Sequence, residues 1–185
     1  MTEDEQYVAD HIALWVGAGF YSGEEIEEMI LDIAAEGCNI AVLTSLVGPA
    51  LERKLSEQRS WPEVTDCDRL DRIFDELHEG GICALSNAGY TMSDGHADVA
   101  EALAAGPDGH YRGYCFYHGQ DVERAVKGHG VMIAFGHVRG DPARDQRIGQ
   151  AVAAALNDAG FAVEWDGSSK QRINIPGFRW QRRRS

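Results

Sequence analysis

Two polar turns concentrate the residues of this chain that could do chemistry. The first runs Ser86-Asn87-Ala88-Gly89-Tyr90-Thr91-Met92-Ser93-Asp94-Gly95-His96, and the second is Tyr117-His118-Gly119-Gln120-Asp121. Each follows a short apolar run, so both read as strand-to-helix loops, where α/β domains place binding and catalytic groups. The candidate binding residues are Asn87, Tyr90, Ser93, Asp94, His96, Tyr117, His118, Gln120 and Asp121. His118 with Asp121, or Tyr90 with Asp94, has the composition of a proton-transfer pair. Gly119 leaves the backbone room for a closely approaching ligand. The same residues also have a structural reading. His118-Gly119-Gln120-Asp121 is what a tight turn and a helix start require. Asp94 serves equally as the N-cap or first-turn acid of the helix that follows, and Tyr90 and Tyr117 as covers for a sheet edge.

Trp165-Asp166-Gly167 with Arg172 forms a later polar group and adds Trp165 and Arg172 to the candidates. Trp165 would share a strand face with Phe161 and Val163, which favours a core role over a ligand platform. Arg172 is expected to pair with Asp166 or Glu164 across a hairpin, a weak interaction if exposed. The seven histidines form no H-x-H or H-E-x-x-H spacing, and no metal is expected. Asp94-x-His96-x-Asp98 is the nearest approach to a ligand cluster, but on a helix Asp94 and Asp98 share a face that His96 leaves.

A cysteine nucleophile needs a base within hydrogen-bond reach. Cys115 and His118 are three apart, on opposite faces of an extended chain. Cys38, Cys67, Cys83 and Cys115 show no C-x-x-C pair, so they read as reduced structural thiols. Neither G-x-G-x-x-G nor G-x-x-x-x-G-K-[ST] occurs, and no cofactor is expected. No catalytic residue is assigned on these grounds.

The elements that must position these groups can be read from periodicity. Residues 3–16 carry Val8, Ile12, Trp15 and Val16 at helical spacing. Ser22 with Glu25 matches a capping box for a second helix with Ile26, Met29, Ile30 and Ile33 on its apolar face and Gly37 as its stop. A third helix is expected over about 39–59, interrupted at Gly48-Pro49. Beyond Trp61-Pro62 the pattern alternates. Helix 66–79 precedes strand Ile82–Leu85, helix 94–105 precedes strand Tyr114–Tyr117, and helix 120–127 precedes strand Val131–Phe135. Helix 142–159 starts at Pro142 and leads to Phe161–Trp165 and Arg172–Ile175, an expected antiparallel hairpin. The reading is α+β: a helical segment over 1–62, then a domain over 63–185 with a mixed sheet of about five strands, packed helices, a C-terminal hairpin and a basic tail.

The chain has 185 residues, 44% hydrophobic and 25% charged, and a net charge of −13. That composition supports a packed core without staples, and no apolar run approaches the roughly 18 residues that span a bilayer. The acidic start, Met1-Thr2-Glu3-Asp4-Glu5, lacks the basic and apolar regions of a secretory signal. The expected location is cytoplasmic, with no membrane association. Acidity is concentrated in 1–62, while Arg179, Arg182, Arg183 and Arg184 end the chain. The overall balance opposes nucleic-acid binding. The arginine tail has the charge to touch phosphate or an acidic partner, but reads first as a solvated end, or as a partner for the acidic helices that helps hold the two halves together.

Asn87–Gly95, then Gly113-Tyr114-Cys115-Phe116-Tyr117-His118-Gly119-Gln120-Asp121-Val122-Glu123, then Val163–Gly167 with Arg172-Ile173, resemble a family of bacterial proteins whose domain is of unknown function. The resemblance covers about residues 60–180 and implies a bacterial cytosolic protein. It supplies no activity and no catalytic residue.

Two function classes follow. One is a non-catalytic binding or regulatory domain that takes a small molecule or a protein partner through the two turns, its acidic surface steering a basic partner. The other is a small hydrolase using Asp94, His118 and Asp121. Segment 1–60 reads as a separate domain, as a lid over the turns, or as a dimerisation arm burying Trp15, Ile26 and Met29 against a second copy. A homodimer is therefore among the expected assemblies.

Overall fold

Local capping signals decide where the first helices begin. In the computed structural model, which describes residues 1–183, the first unit comprises Met1–Thr65 with the chain from Gln181. Its helices are α1 (Glu3–Ala18), α2 (Gly23–Ile33), α3 (Ile40–Ser45) and α4 (Val47–Gln58). Thr2 with Glu5 and Ser22 with Glu25 form reciprocal capping boxes at the starts of α1 and α2, each satisfying two otherwise orphaned amides. Gly19, at φ +81, ends α1. The helices close on a core of Val8, Ile12, Trp15, Ile26, Ile30, Leu43 and Val47. Lys54 is buried, and its ammonium donates to the carbonyls of Val16 and Gly17 at 2.7 and 3.0 Å, the free carbonyls at the end of α1.

Two expectations here are corrected. The break in segment 39–59 falls at Leu46, and Pro49 is the third residue of α4. A proline is tolerated there because first-turn amides have no intrahelical acceptor. The hydroxyls of Thr44 and Ser45 bond back to Ile40 and Val42 at 3.0 and 2.6 Å just before the break. The second helix ends at Ile33, with Ala34 extended, and Gly37 lies in the turn beyond. In the tail, the Arg182 guanidinium lies 4.5 Å over the Phe20 ring and Arg183 donates to the Pro62 carbonyl, while Arg184 falls outside the described residues.

The second unit spans Asp66–Trp180. In order it contains α5 (Asp66–Glu79), β1 (Ile82–Leu85), α6 (Met92–Ala105), β2 (Gly113–Phe116), α7 (Gly119–Val126), β3 (Val131–His137), α8 (Pro142–Asp158) and β4 (Ile173–Ile175). The sheet is mixed, in the order β1-β2-β3-β4: β1 and β2 are parallel, and the other two pairings are antiparallel. Helices cover both faces. α6 packs Val99 against Phe116 and Ala134, while Ile148 of α8 approaches the opposite face at Gly113, where a Cβ would lie 2.5 Å from its Cδ1. The α+β class therefore holds, and among the described residues no helix is long and apolar enough to cross a membrane.

The strand count is four, one fewer than expected. Segment Phe161–Trp165 meets β4 only at a Glu164–Asn174 bridge. Side chains hold it instead. Phe161 stacks on Phe178 at 5.5 Å beneath the Arg69 guanidinium. The Trp165 indole N–H donates to the carbonyls of Ser168 and Gln171 at 3.0 and 3.1 Å, closing the turn.

Candidate functional site

Because β1 and β2 are parallel, the loops that leave them emerge at the same end of the sheet, the usual place for a site in such folds. The ladder continues past both strands. Ala88 N–H donates to the Tyr117 carbonyl at 2.9 Å, Gly119 N–H to Gly89 at 2.9 Å, and Gln120 N–H to Tyr90 at 3.1 Å. The two polar turns are thus zipped side by side. Asn87 is the only described non-glycine residue with positive φ, at +52°, a conformation asparagine tolerates better than most residues. Gly119 is required by close approach: a Cβ there would stand 2.7 Å from Tyr90 Cδ2 and 3.3 Å from Tyr90 Cα.

At the second turn His118, Asp121 and Arg172 converge. One Arg172 η-nitrogen lies 2.9 Å from each Asp121 carboxylate oxygen and 3.3 Å from His118 Nε2. The Asp121 carboxylate also accepts from the His118 backbone N–H at 3.2 Å. The side chains of His118 and Asp121 are 5% and 3% exposed, and that of Arg172 is 31% exposed. His118 Nε2 also stands 3.2 Å from Asp121 Oδ2, so the ring nitrogen faces a donor in Arg172 and an acceptor in Asp121. The other ring nitrogen, Nδ1, is buried and makes no hydrogen bond. Burial pushes His118 below its ordinary value of 6.5; Asp121 pulls the other way, Arg172 lowers it further, and Asp94 opposes. The ring is neutral near pH 7.

At the first turn Thr91 is the N-cap of α6 and Asp94 its third residue. The Asp94 carboxylate accepts from the Thr91 amide and hydroxyl, both at 2.9 Å. The Thr91 amide above all, then its hydroxyl, holds Asp94 below the usual carboxylate range, with a smaller pull from His118. Tyr90, half exposed, donates its hydroxyl to Glu123 of α7 at 3.0 Å. Ser93 and Gln120 are exposed in the first turns of α6 and α7.

The remaining candidates lie elsewhere. His96 sits edge-on to Tyr114 and Phe116, with ring centroids 5.7 and 5.2 Å away. Among the described residues no three His, Cys, Asp or Glu groups gather to hold a metal ion. Tyr117 does not cover an edge: it is fully buried, its ring 5.6 Å from Phe74 and 5.8 Å from Trp180. Trp165 closes its own turn and meets Phe135 at 5.4 Å. Arg172 pairs with Asp121, not with Asp166 or Glu164. Those two carboxylates bond Ser168 and the Asn174 side chain instead. Burial pushes the Cys83 and Cys115 thiols upward, which suits inert packing groups.

Sequence reasoning did not select Thr91 or Glu123. The T-x-x-D spacing of Thr91 and Asp94 is a capping signal that finds the first. Nothing local marks Glu123, whose contact with Tyr90 spans 33 positions.

Among curated proteins and among solved structures, nothing matches the chain. A family model does match, over residues 1–184, and so takes in the helical segment as well as the motifs around both turns. The chain belongs to the family described as Domain of unknown function (DUF6891).

Proposed function

We propose that this protein is a non-catalytic binding or regulatory domain that takes a small molecule or a protein partner on the edge formed by its two zipped turns. One observation carries the reading: the acid–base residues there are engaged with one another. Both Asp121 oxygens and His118 Nε2 face the same Arg172 nitrogen. A general base must be free to accept the substrate's proton, and Asp94 is likewise engaged by Thr91. A locked array of this kind stiffens the two loops. It leaves Tyr90, Ser93, Gln120 and part of Arg172 facing outward. Tyrosine and arginine are the side chains that anchor recognition surfaces most often.

Native mass spectrometry against the denatured mass tests for the occupant. A mass excess lost on denaturation identifies a small ligand, and an integer multiple of the chain mass identifies a second copy as partner. Tyr90→Ala is expected to abolish whichever is found while the circular dichroism spectrum persists. The hydrolase alternative is tested with p-nitrophenyl acetate and p-nitrophenyl phosphate. Turnover that His118→Gln and Asp94→Asn both remove, with folding intact, would overturn the binding reading.

A further inference from the structure

The opposite end of β2 carries a second feature that the loop pair does not use. Two adjoining clefts of about 560 and 410 Å³ share Arg112, His137 and Arg144; Arg139 lines the first and Arg147 the second. Four arginines thus meet at one end of the sheet in a chain whose net charge is −13. The fold explains their convergence. Arg112 stands immediately before β2, and its backbone continues both ladders, its N–H donating to Gly81 at 2.9 Å and its carbonyl accepting from Val138 at 3.2 Å. His137 ends β3 opposite Gly113, Arg139 lies in the following turn, and Arg144 and Arg147 sit three apart near the start of α8.

Not all of this charge serves the fold. Arg112 donates to the Gly80 carbonyl, and Arg144 faces Asp141 at 3.9 Å with both side chains half exposed. The guanidinium groups of Arg139 and Arg147 make no hydrogen bond or ion pair among the described residues. Three carboxylates are near. Asp108 lines the larger cleft. Asp141 caps α8 through the amides of Ala143 and Arg144, and Asp145 accepts from the His137 amide at 2.7 Å. Two of the three are therefore turned to backbone donors. His137 Nδ1 accepts from the Arg139 amide at 3.0 Å, which puts the proton of the neutral ring on Nε2 as a further donor. The other wall is apolar and aromatic, with Leu103, Pro107, Tyr111 and Val138. Tyr111 is fixed there by His78, 2.6 Å from its hydroxyl.

We infer that these adjoining clefts bind a small phosphorylated molecule, with its phosphate at Arg112 and Arg144, which both clefts share, flanked by Arg139 on one side and Arg147 on the other, and an apolar or ring portion against Leu103, Pro107 and Tyr111. Planar guanidinium forks match phosphate oxygens in pairs. A volume of several hundred Å³ is that of a small-molecule site. An anion would also supply the countercharge that the guanidinium groups of Arg139 and Arg147 lack among the described residues.

The test is calorimetric titration of the full chain at physiological salt with AMP, pyrophosphate, inorganic phosphate, citrate and a short single-stranded RNA. AMP is expected to bind saturably and more tightly than inorganic phosphate or citrate. Arg139→Ala/Arg147→Ala removes two exposed guanidinium groups that hold no hydrogen bond or ion pair among the described residues, and should weaken AMP by about tenfold or more, roughly 1.4 kcal/mol, with an unchanged circular dichroism spectrum. Arg53→Ala, exposed in the helical unit, should leave AMP binding unchanged. Four results would overturn the inference: no saturable binding of AMP or pyrophosphate, affinity unaltered in the double variant, citrate equal to AMP, or RNA preferred to AMP. Inorganic phosphate equal to AMP would overturn the ring-binding wall.

Discussion

Replacing Arg172 with methionine tests whether the guanidinium holds the second turn together. The substitution keeps a long apolar stem and removes the donor that faces Asp121 Oδ1, Asp121 Oδ2 and His118 Nε2 at 2.9, 2.9 and 3.3 Å. It strands a carboxylate that is 3% exposed. Orphaning one member of a fully buried ion pair costs about 3–5 kcal/mol. Arg172 itself is 31% exposed, so water can reach part of the vacated space and the expected loss falls to about 2–3 kcal/mol. Asp121→Asn alone should cost less, about 1–2 kcal/mol, because the freed guanidinium can turn to solvent and the amide oxygen can still accept from His118 N–H. The double variant should then be less damaging than the sum of the two, by about 1–2 kcal/mol of coupling. The assay is urea unfolding followed by tryptophan fluorescence in a Trp15→Phe/Trp61→Phe background. That leaves Trp165 and Trp180, both in the second unit, as reporters of the unit that contains the network. Additive single effects, or an Arg172→Met loss within about 0.5 kcal/mol of zero, would refute the reasoning.

Other outcomes can be stated more briefly. Burial holds His118 below 6.5 in the folded chain, so its contribution is complete above that pH and is lost as pH falls from 6.5 towards the depressed folded value. His118→Gln should flatten that part of the stability profile, and an unaltered slope would show that the ring does not titrate this way. Arg172→Met should raise the His118 titration midpoint in an NMR titration, because it removes a positive neighbour and leaves Asp121 unopposed. Gly119→Ala should separate the zipped turns at a cost of about 1–3 kcal/mol, read as lost exchange protection at the Gly119 and Gln120 amides; retained protection would contradict the close approach of Tyr90. Thiol titration with a disulfide reagent in native buffer should detect Cys38 and spare Cys67, Cys83 and Cys115, which are buried, with all four reacting in denaturant. Ser22→Ala should destabilise the helical unit by about 1 kcal/mol through loss of its capping box, and an effect near zero would show that the cap is not needed.

Interactions between close neighbours are legible in the amino-acid sequence itself. The capping box at Ser22 and Glu25 shows in spacing alone, because a helix start is satisfied within four residues. So do the apolar strand ahead of each polar turn and the mixed α+β order, since side-chain periodicity reports which face each element buries. Segment 161–165 misleads, because β propensity describes a surface suited to pairing and cannot show whether the partner aligns for more than one bridge. Pro49 misleads because a proline reads as a break in any helix, although the first turn can hold it. Tertiary structure alone decided that two turns about thirty positions apart share a ladder, a consequence of parallel pairing between β1 and β2. It alone gave Arg172 to Asp121 across 51 positions in preference to the carboxylates beside it. It alone gathered Arg112, Arg139, Arg144 and Arg147 at one end of the sheet. Local spacing carries information over a few residues, whereas a burial partner or a shared cleft is chosen by strand order and register, which only the closed fold specifies.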